Sequence, residues 1–350
     1  MDRRCLEQLF SRLKQKTVLV VGDFFLDRYL MIDPAKDEPS LETGLTAYQV
    51  VEVRNSPGAA GSVADSLAAL EIGHVMALSL LGDDGAGYDL RRELHRRGIN
   101  TEAMIIDDRL RTPTYTKPMR QQGEGDVELN RLDIKNFSPT PPDIVDKIAA
   151  RLAALAPKVD GIAVIDQVAE AECGVVTTAL RQHLTQIAQT YPDLPIIVDS
   201  RARAWQYRNV MLTPNAQEVL AGRGGYESEE VDDGQLAAVG QELYSQAGRP
   251  VFITLGSRGQ LVITKSRSSL VPTIFVPGPI DVVGAGDSAM AGILAALMSQ
   301  WEPIDAAKLG NVTASITIQK LGTTGTASPA EVLAQAPLFQ HLTPRKWGSS

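Results

Sequence analysis

The run DVVGAGDSAMAG (281–292) sets bare backbone beside a carboxylate. Gly284, Ala285 and Gly286 carry nothing larger than a methyl, and Asp287 follows them directly. Two chemistries use such a run. In one, Gly284 to Ala289 is a loose dinucleotide fingerprint, GxGxxA. In the other, the loop opens a helix whose free N–H groups converge on one spot, where about half a positive charge favours an anion. Those amides would stabilise the charge building on a phosphoryl group in transfer, and Asp287 would take the proton of the attacking hydroxyl. A dinucleotide needs a buried strand running into the glycines and an acid at the end of a second strand. Here Pro277 and Pro279 leave little room upstream, and Glu302 and Asp305 fall between two helical patterns downstream. The context favours phosphoryl transfer. On this stretch alone, Asp287 as a simple helix cap is an equal alternative.

The elements around the run read as α/β. Leu6, Leu9, Phe10 and Leu13 mark one face of an N-terminal helix. TVLVVGD (17–23) is a β-branched apolar run expected as a buried strand. SPGAAGSVADSLAALEIG (56–73) reads as a turn and then a helix with Val63, Leu67 and Leu70 inward. A strand–loop–helix beat is expected at 74–99, 159–188, 195–205, 210–222 and 251–264, which implies a mostly parallel sheet with helices on both faces. Residues 28–56 and 104–132 break the beat and predict a small antiparallel flap, a lid inserted at two points into a single domain spanning 1–350. Two long Ala/Gly/Ser-rich helical patterns that can pack closely follow at 286–300 and 303–322, and the tail beyond about 337 shows little pattern and is expected to fray.

Composition narrows the function classes. The 350 residues are 44% hydrophobic and 22% charged, with a net charge of −8, which argues against a nucleic-acid surface and its basic stripe. Cys5 and Cys173 could pair, but a reducing compartment is the simpler reading, and with no signal-like or membrane-spanning run the expected place is the cytoplasm. The four histidines and two cysteines have no zinc spacing, and no Walker A sequence occurs.

Asp281-Val282-Val283-Gly284-Ala285-Gly286-Asp287 resembles the second signature of the PfkB, or ribokinase-like, sugar kinases, DTxGAGD, with Val282 in place of the threonine. The likeness runs through 17–330. It implies a ribokinase-like α/β fold with a β lid, ATP and Mg²⁺ as cofactors, Asp287 as base, and Gly284, Ala285 and Gly286 as the anion hole. GDFFLDRY (22–29) is similar to the segment whose acids meet the sugar, which implies substrate roles for Asp23 and Asp27. The first signature maps onto 56–73, with Gly58, Ala59 and Ser62 where the family usually shows two glycines and an asparagine; Ala59 would narrow the sugar site by a methyl group. LTPNAQEV resembles the NxxE element and implies that Asn215 and Glu218 lie near Mg²⁺ and the phosphates, Glu218 acting through water; a capping pattern is the plain alternative. VFITLGSRGQLV resembles the nucleotide loop, with Thr254, Gly256 and Gly259 along ATP and Ser257 and Arg258 in the turn; a bare hairpin is the plain alternative. Asn311 would border adenine or sit on a helix surface. Asp199 stands at a strand end, and Arg201 or Arg203 would meet a phosphate. Backbone carbonyls of Asp281 and Val283 would hold K⁺.

Several segments look most like the kinase part of ADP-heptose synthesis enzymes, which implies a sugar phosphate, a heptose 7-phosphate, as acceptor. Such a substrate needs basic residues, and Arg28, Lys117, Arg120 and Arg131 are the candidates. No HxGH sequence occurs, so the nucleotidyltransfer of bifunctional relatives is not expected. A homodimer through the lid is expected. The alternative is a catalytically silent sugar- or nucleotide-binding protein, suggested by the altered first signature.

Overall fold

The structure is a computed structural model describing residues 2–123, 125–223, 233–322 and 324–347. The ends of the expected 1–350 domain and Glu124 of the expected lid lie outside the described residues.

The strand Thr17–Gly22 is the centre of the molecule. Its side chains alternate between two cores: Val18 and Val20 pack on one face, Leu19 and Val21 on the other, all fully buried. Gly161–Asp166 and His74–Leu78 pair with it in parallel. Outward from Gly161–Asp166 come Ile196–Ser200, Met211–Leu212 and Val251–Thr254, also parallel. The sheet closes on one side with antiparallel Gln260–Ile263, Ser268–Val271 and Arg345–Lys346, and on the other with parallel Ile99–Asn100, ten strands in all. Helices Arg3–Leu13, Ala60–Ala69, Ala285–Met298 and Pro303–Thr317 fill one face. Pro142–Leu155, Thr178–Thr190 and Asp233–Ala247 fill the other.

Four local expectations are corrected. Residues 251–264 form a hairpin closed by the turn Gly256–Arg258, not a strand and helix. After Ile196–Ser200 comes only a 3₁₀ turn. Residues 56–59 are the end of the strand Val50–Ala59 and not a turn. The tail is held: Phe339 and Leu342 are buried and Arg345–Lys346 joins the sheet edge. Cys5 and Cys173 are both free thiols.

A second sheet stands over the first. It orders Gly125–Glu128, Thr114–Gln122, Phe24–Ile32 and Val50–Ala59, with Leu132–Ile134 also paired to Thr114–Gln122. Residues 104–113 lie apart from it, because Ile105–Asp107 pairs with Leu80–Gly82. Contrary to the antiparallel expectation, Phe24–Ile32 and Thr114–Gln122 run parallel. Both leave the main body in the same direction, so they enter the second sheet from the same end.

Candidate functional site

The helix Ala285–Met298 begins at Gly284, which takes φ 79°, a left-handed conformation that suits glycine. No side chain caps this helix start. Asp287 therefore is not the cap; it sits in the first turn, half-buried. A side chain at Gly286 would meet no atom within 4 Å, so the backbone there faces open space. Burial, then the nearby Asp27 charge, pushes the Asp287 carboxyl up to about 7. The Ala285 N–H is taken by the Val282 carbonyl at 3.2 Å, so the first turn couples the amides of Gly286 and Asp287 to an acid poised near neutrality. Asp281 ties the preceding loop down, accepting from the N–H groups of Val283 (3.0 Å) and Gly322 (3.3 Å).

Opposite stands Asp27, on the strand Phe24–Ile32. Its oxygen lies 3.6 Å from Lys117 Nζ, and burial still raises its carboxyl against that cation. Gly58 presses on it: a Cβ there would come within 2.7 Å of Asp27 Oδ2. Lys117 also lies 4.8 Å above the Tyr29 ring, and Arg131 4.6 Å above Tyr115 while pairing with Asp133. The other two basic candidates turn elsewhere. Arg28 pairs with Asp89 at 2.9 Å and Arg120 with Asp37 at 2.6 Å. Ala59 precedes the helix Ala60–Ala69 at φ 52° and ψ −117°, and its methyl packs on the main core. Ser62 is buried inside that helix and donates to the Pro57 carbonyl at 3.4 Å.

Asp199 ends a parallel strand between these groups. Burial, then Glu218 and Asp287, drives its carboxyl well up, with Arg201 pulling the other way. Asn215 and Glu218 form a reciprocal capping box: each accepts from the other's backbone N–H at 2.9 Å. That engages Glu218 Oε2. Burial raises Glu218 as well. Thr254 bridges directly to Asn215, so the two nucleotide candidates meet. The turn beyond puts Gly256 at φ 58° over open space and Gly259 at φ 97° against the Val271 carbonyl. Asn311 is not on a helix surface. It is buried and donates to the carbonyls of Val271 and Pro272, both at 3.0 Å, behind that turn.

Two expectations meet side chains already engaged. Both Asp23 oxygens accept backbone N–H groups: Val175 at 2.8 Å on one, Gln167 at 2.9 Å and Val168 at 3.0 Å on the other. Burial pushes its carboxyl up to about 6 while those amides pull it back. Arg203 is buried against Asp166 at 3.0 Å and its other N–H groups go to the carbonyls of Val168 and Ala169. The loop 167–175 that Asp23 holds lines a cavity together with Phe25, Tyr115 and Arg201. DQVAEAECG (166–174) carries no signature, so sequence reasoning missed it. Among the described residues no cluster of three His, Cys, Asp or Glu could hold a metal ion, and no helix is long and apolar enough to cross a membrane.

A family model described as pfkB family carbohydrate kinase matches residues 17–331. The bifunctional protein HldE of Pelobacter propionicus is 29% identical over 337 residues, covering 95% of this chain and 66% of that protein, so the chain spans just under two thirds of the relative's length. Among solved structures, Escherichia coli phosphofructokinase-2 in complex with fructose-6-phosphate superposes with a TM-score of 0.68 at 15% identity, over 93% of this chain and 99% of that one. Arabidopsis thaliana ribokinase complexed with ribose and ATP gives 0.66 at 15%, over 92% and 98%. Both likenesses show the ribokinase-like fold.

Proposed function

The chain belongs to the pfkB family of carbohydrate kinases, and on that premise we propose that it moves the γ-phosphoryl group of ATP to a hydroxyl of a sugar or sugar phosphate held between Asp27 and Asp287. The observation that carries this reading is the uncapped start of the helix Ala285–Met298, with open backbone at Gly286 and the Asp287 carboxyl raised to about 7. The acceptor oxygen attacks γ-phosphorus as the bond to the ADP oxygen breaks, and its proton passes to Asp287. The N–H groups of Gly286 and Asp287 and the helix dipole stabilise the equatorial oxygens, with Gly284 and Ala285 shaping the turn that presents them. Asp27 and the backbone at Gly58 and Ala59 orient the acceptor, with Ser62 supporting that turn from inside its helix.

Asn215, Glu218, Thr254, Gly256 and Gly259 frame the nucleotide, and Asn311 holds the back of its pocket. Mg²⁺, when bound, neutralises phosphate charge. With no three-acid cluster among the described residues, the phosphates themselves would supply most of its ligands, and Glu218 fits as a partner through water. Asp281 fixes the loop whose carbonyls at 281 and 283 would face K⁺. A heptose 7-phosphate is the acceptor we favour, with Lys117 and Arg131 as the candidate cations for its phosphate. The lid is the proposed homodimer interface.

The test is ADP formation from ATP and Mg²⁺ with a panel of sugars and sugar phosphates, heptose 7-phosphate included. Asp287→Asn should cut turnover at least about a hundredfold and keep nucleotide binding. Turnover near the wild-type rate in that variant would remove Asp287 from the mechanism. No turnover with any acceptor would favour the silent binding protein instead.

A further inference from the structure

We infer that Asp23 and Arg203 are positioning residues, which clamp the loop 167–175 from opposite sides and so fix the wall of the acceptor site. This rests on the kinase reading above for what the wall faces, and on hydrogen bonds alone for the clamp. Asp23 takes the N–H groups of Gln167, Val168 and Val175 at 2.8–3.0 Å. Arg203 gives its guanidinium N–H groups to the carbonyls of Val168 and Ala169, both at 2.7 Å. A third side chain closes the far end: Thr140 donates its hydroxyl to the Gly174 carbonyl at 2.8 Å, and its backbone N–H reaches the Glu172 carbonyl at the same distance.

These are buried groups. Asp23, Arg203 and Thr140 expose no more than 7% of their surface. Arg203 is balanced by Asp166, whose other oxygen accepts from Ser200 Oγ (2.7 Å) and Tyr207 OH (2.9 Å). Burying charge is costly unless every member is satisfied, and here the partners are mostly loop backbone. A connecting loop is usually wet and mobile; this one has its amides and carbonyls taken by side chains from three separate parts of the chain. Gly174 tightens the arrangement, since a Cβ there would lie 2.8 Å from Asp23 Oδ1. The loop's outer face meets the edge-to-face pair Phe25 and Tyr115, centroids 5.1 Å apart, across the cavity. At its start, Gln167 Nε2 reaches Asp199 Oδ2 at 3.3 Å, which joins the wall to the acids beside Asp287. A shift of the loop therefore alters where an acceptor sits without touching the nucleotide turn at 254–259.

Two variants on opposite sides of the loop test this. Asp23→Asn puts an amide N–H against backbone N–H groups; Thr140→Val removes one hydroxyl on the far side at nearly constant shape. In steady-state kinetics both should raise the acceptor KM about tenfold while the ATP KM changes less than twofold. Hydrogen exchange should show the amides of 167, 168 and 175 protected in the wild type and opened in Asp23→Asn. A rise with Asp23→Asn alone, Thr140→Val matching the wild type, would make Asp23 a direct ligand and overturn the proposal. Equal loss in both KM values, tracking a fall in melting temperature, would make the clamp merely structural. The exchange measurement needs no acceptor. A wild type without turnover would sink the kinase reading, while unprotected amides at 167, 168 and 175 would sink the clamp.

Discussion

At the scale of residues, Asp287 makes two demands that pull apart with pH. As a base it must be ionised, so kcat/KM should rise with pH through about 7 and level off above it. Asp287→Asn should cut kcat by about 10²–10⁴. Stability runs the other way. The folded carboxyl is raised above its unfolded value, so its contribution is fully present below about pH 4 and is lost as pH rises through 7. Asp287→Asn should therefore stabilise the apoprotein at pH 8 by about 2–4 kcal/mol and leave it unchanged near pH 4. Urea melts at the two pH values check this; an equal gain at both would show that the acid is not strained. Ala59 makes a second local prediction. Its φ of 52° with ψ −117° is a glycine-like backbone state, costing about 1–3 kcal/mol for a side-chain residue. Glycine there loses about 0.4–1 kcal/mol to the freer unfolded chain. Ala59→Gly should gain about 1 kcal/mol net, read as a rise in denaturation midpoint. The amides beside Asp287 are its own neighbours in the chain and could be read from the sequence; those that Asp23 holds lie 144 to 152 positions away and could not.

Elements carry these residues only if their packing holds. The helices Ala285–Met298 and Pro303–Thr317 touch backbone to backbone: a Cβ on Gly292 would lie 3.0 Å from Gly310 Cα, and one on Gly310 2.7 Å from the Ala289 carbonyl. The small-residue pattern 286–322 announced close packing, and the structure shows why it matters here. The contact lies within two turns of the helix start that holds Asp287. Gly310→Ala must push one helix off the other, so a loss of about 1–3 kcal/mol is expected. The displaced helix start should lower kcat as well, and normal kcat beside a shifted denaturation midpoint would separate the site from this packing. Parallel pairing in the second sheet was out of reach of local pattern. Direction depends on which end of the molecule a strand enters from, and that is set by the segments between residues 32 and 114. The strand-and-helix beat expected at 251–264 gives way to a hairpin for a related reason: a four-residue apolar strand says nothing about whether a helix or a second strand follows.

For the whole molecule, the repeated strand–loop–helix beat was enough to place a sheet with helices on both faces, whereas the use of the lid's outer face is written in exposure that only the fold displays. Val51 and Val53 alternate on one face of the edge strand Val50–Ala59 and are 54% and 53% exposed. Leu132 and Ile134, on the short strand at the other side of the sheet, are 62% and 49% exposed. Val53, Leu30 and Ile134 line one shallow groove. An apolar face beside an open edge is a surface that water disfavours and that self-pairing would cover. Two copies meeting there by a two-fold axis would present the same patch to each other. Analytical ultracentrifugation at micromolar concentration should therefore find a homodimer. Val53→Lys places a charge at the centre of that face and should raise the dissociation constant at least about tenfold. Far-UV circular dichroism should stay unchanged, because Val53 already stands in solvent in the single chain. A wild type that sediments as a monomer would leave this face without the partner assigned to it, and a Val53→Lys dimer as tight as the wild type would move the interface elsewhere.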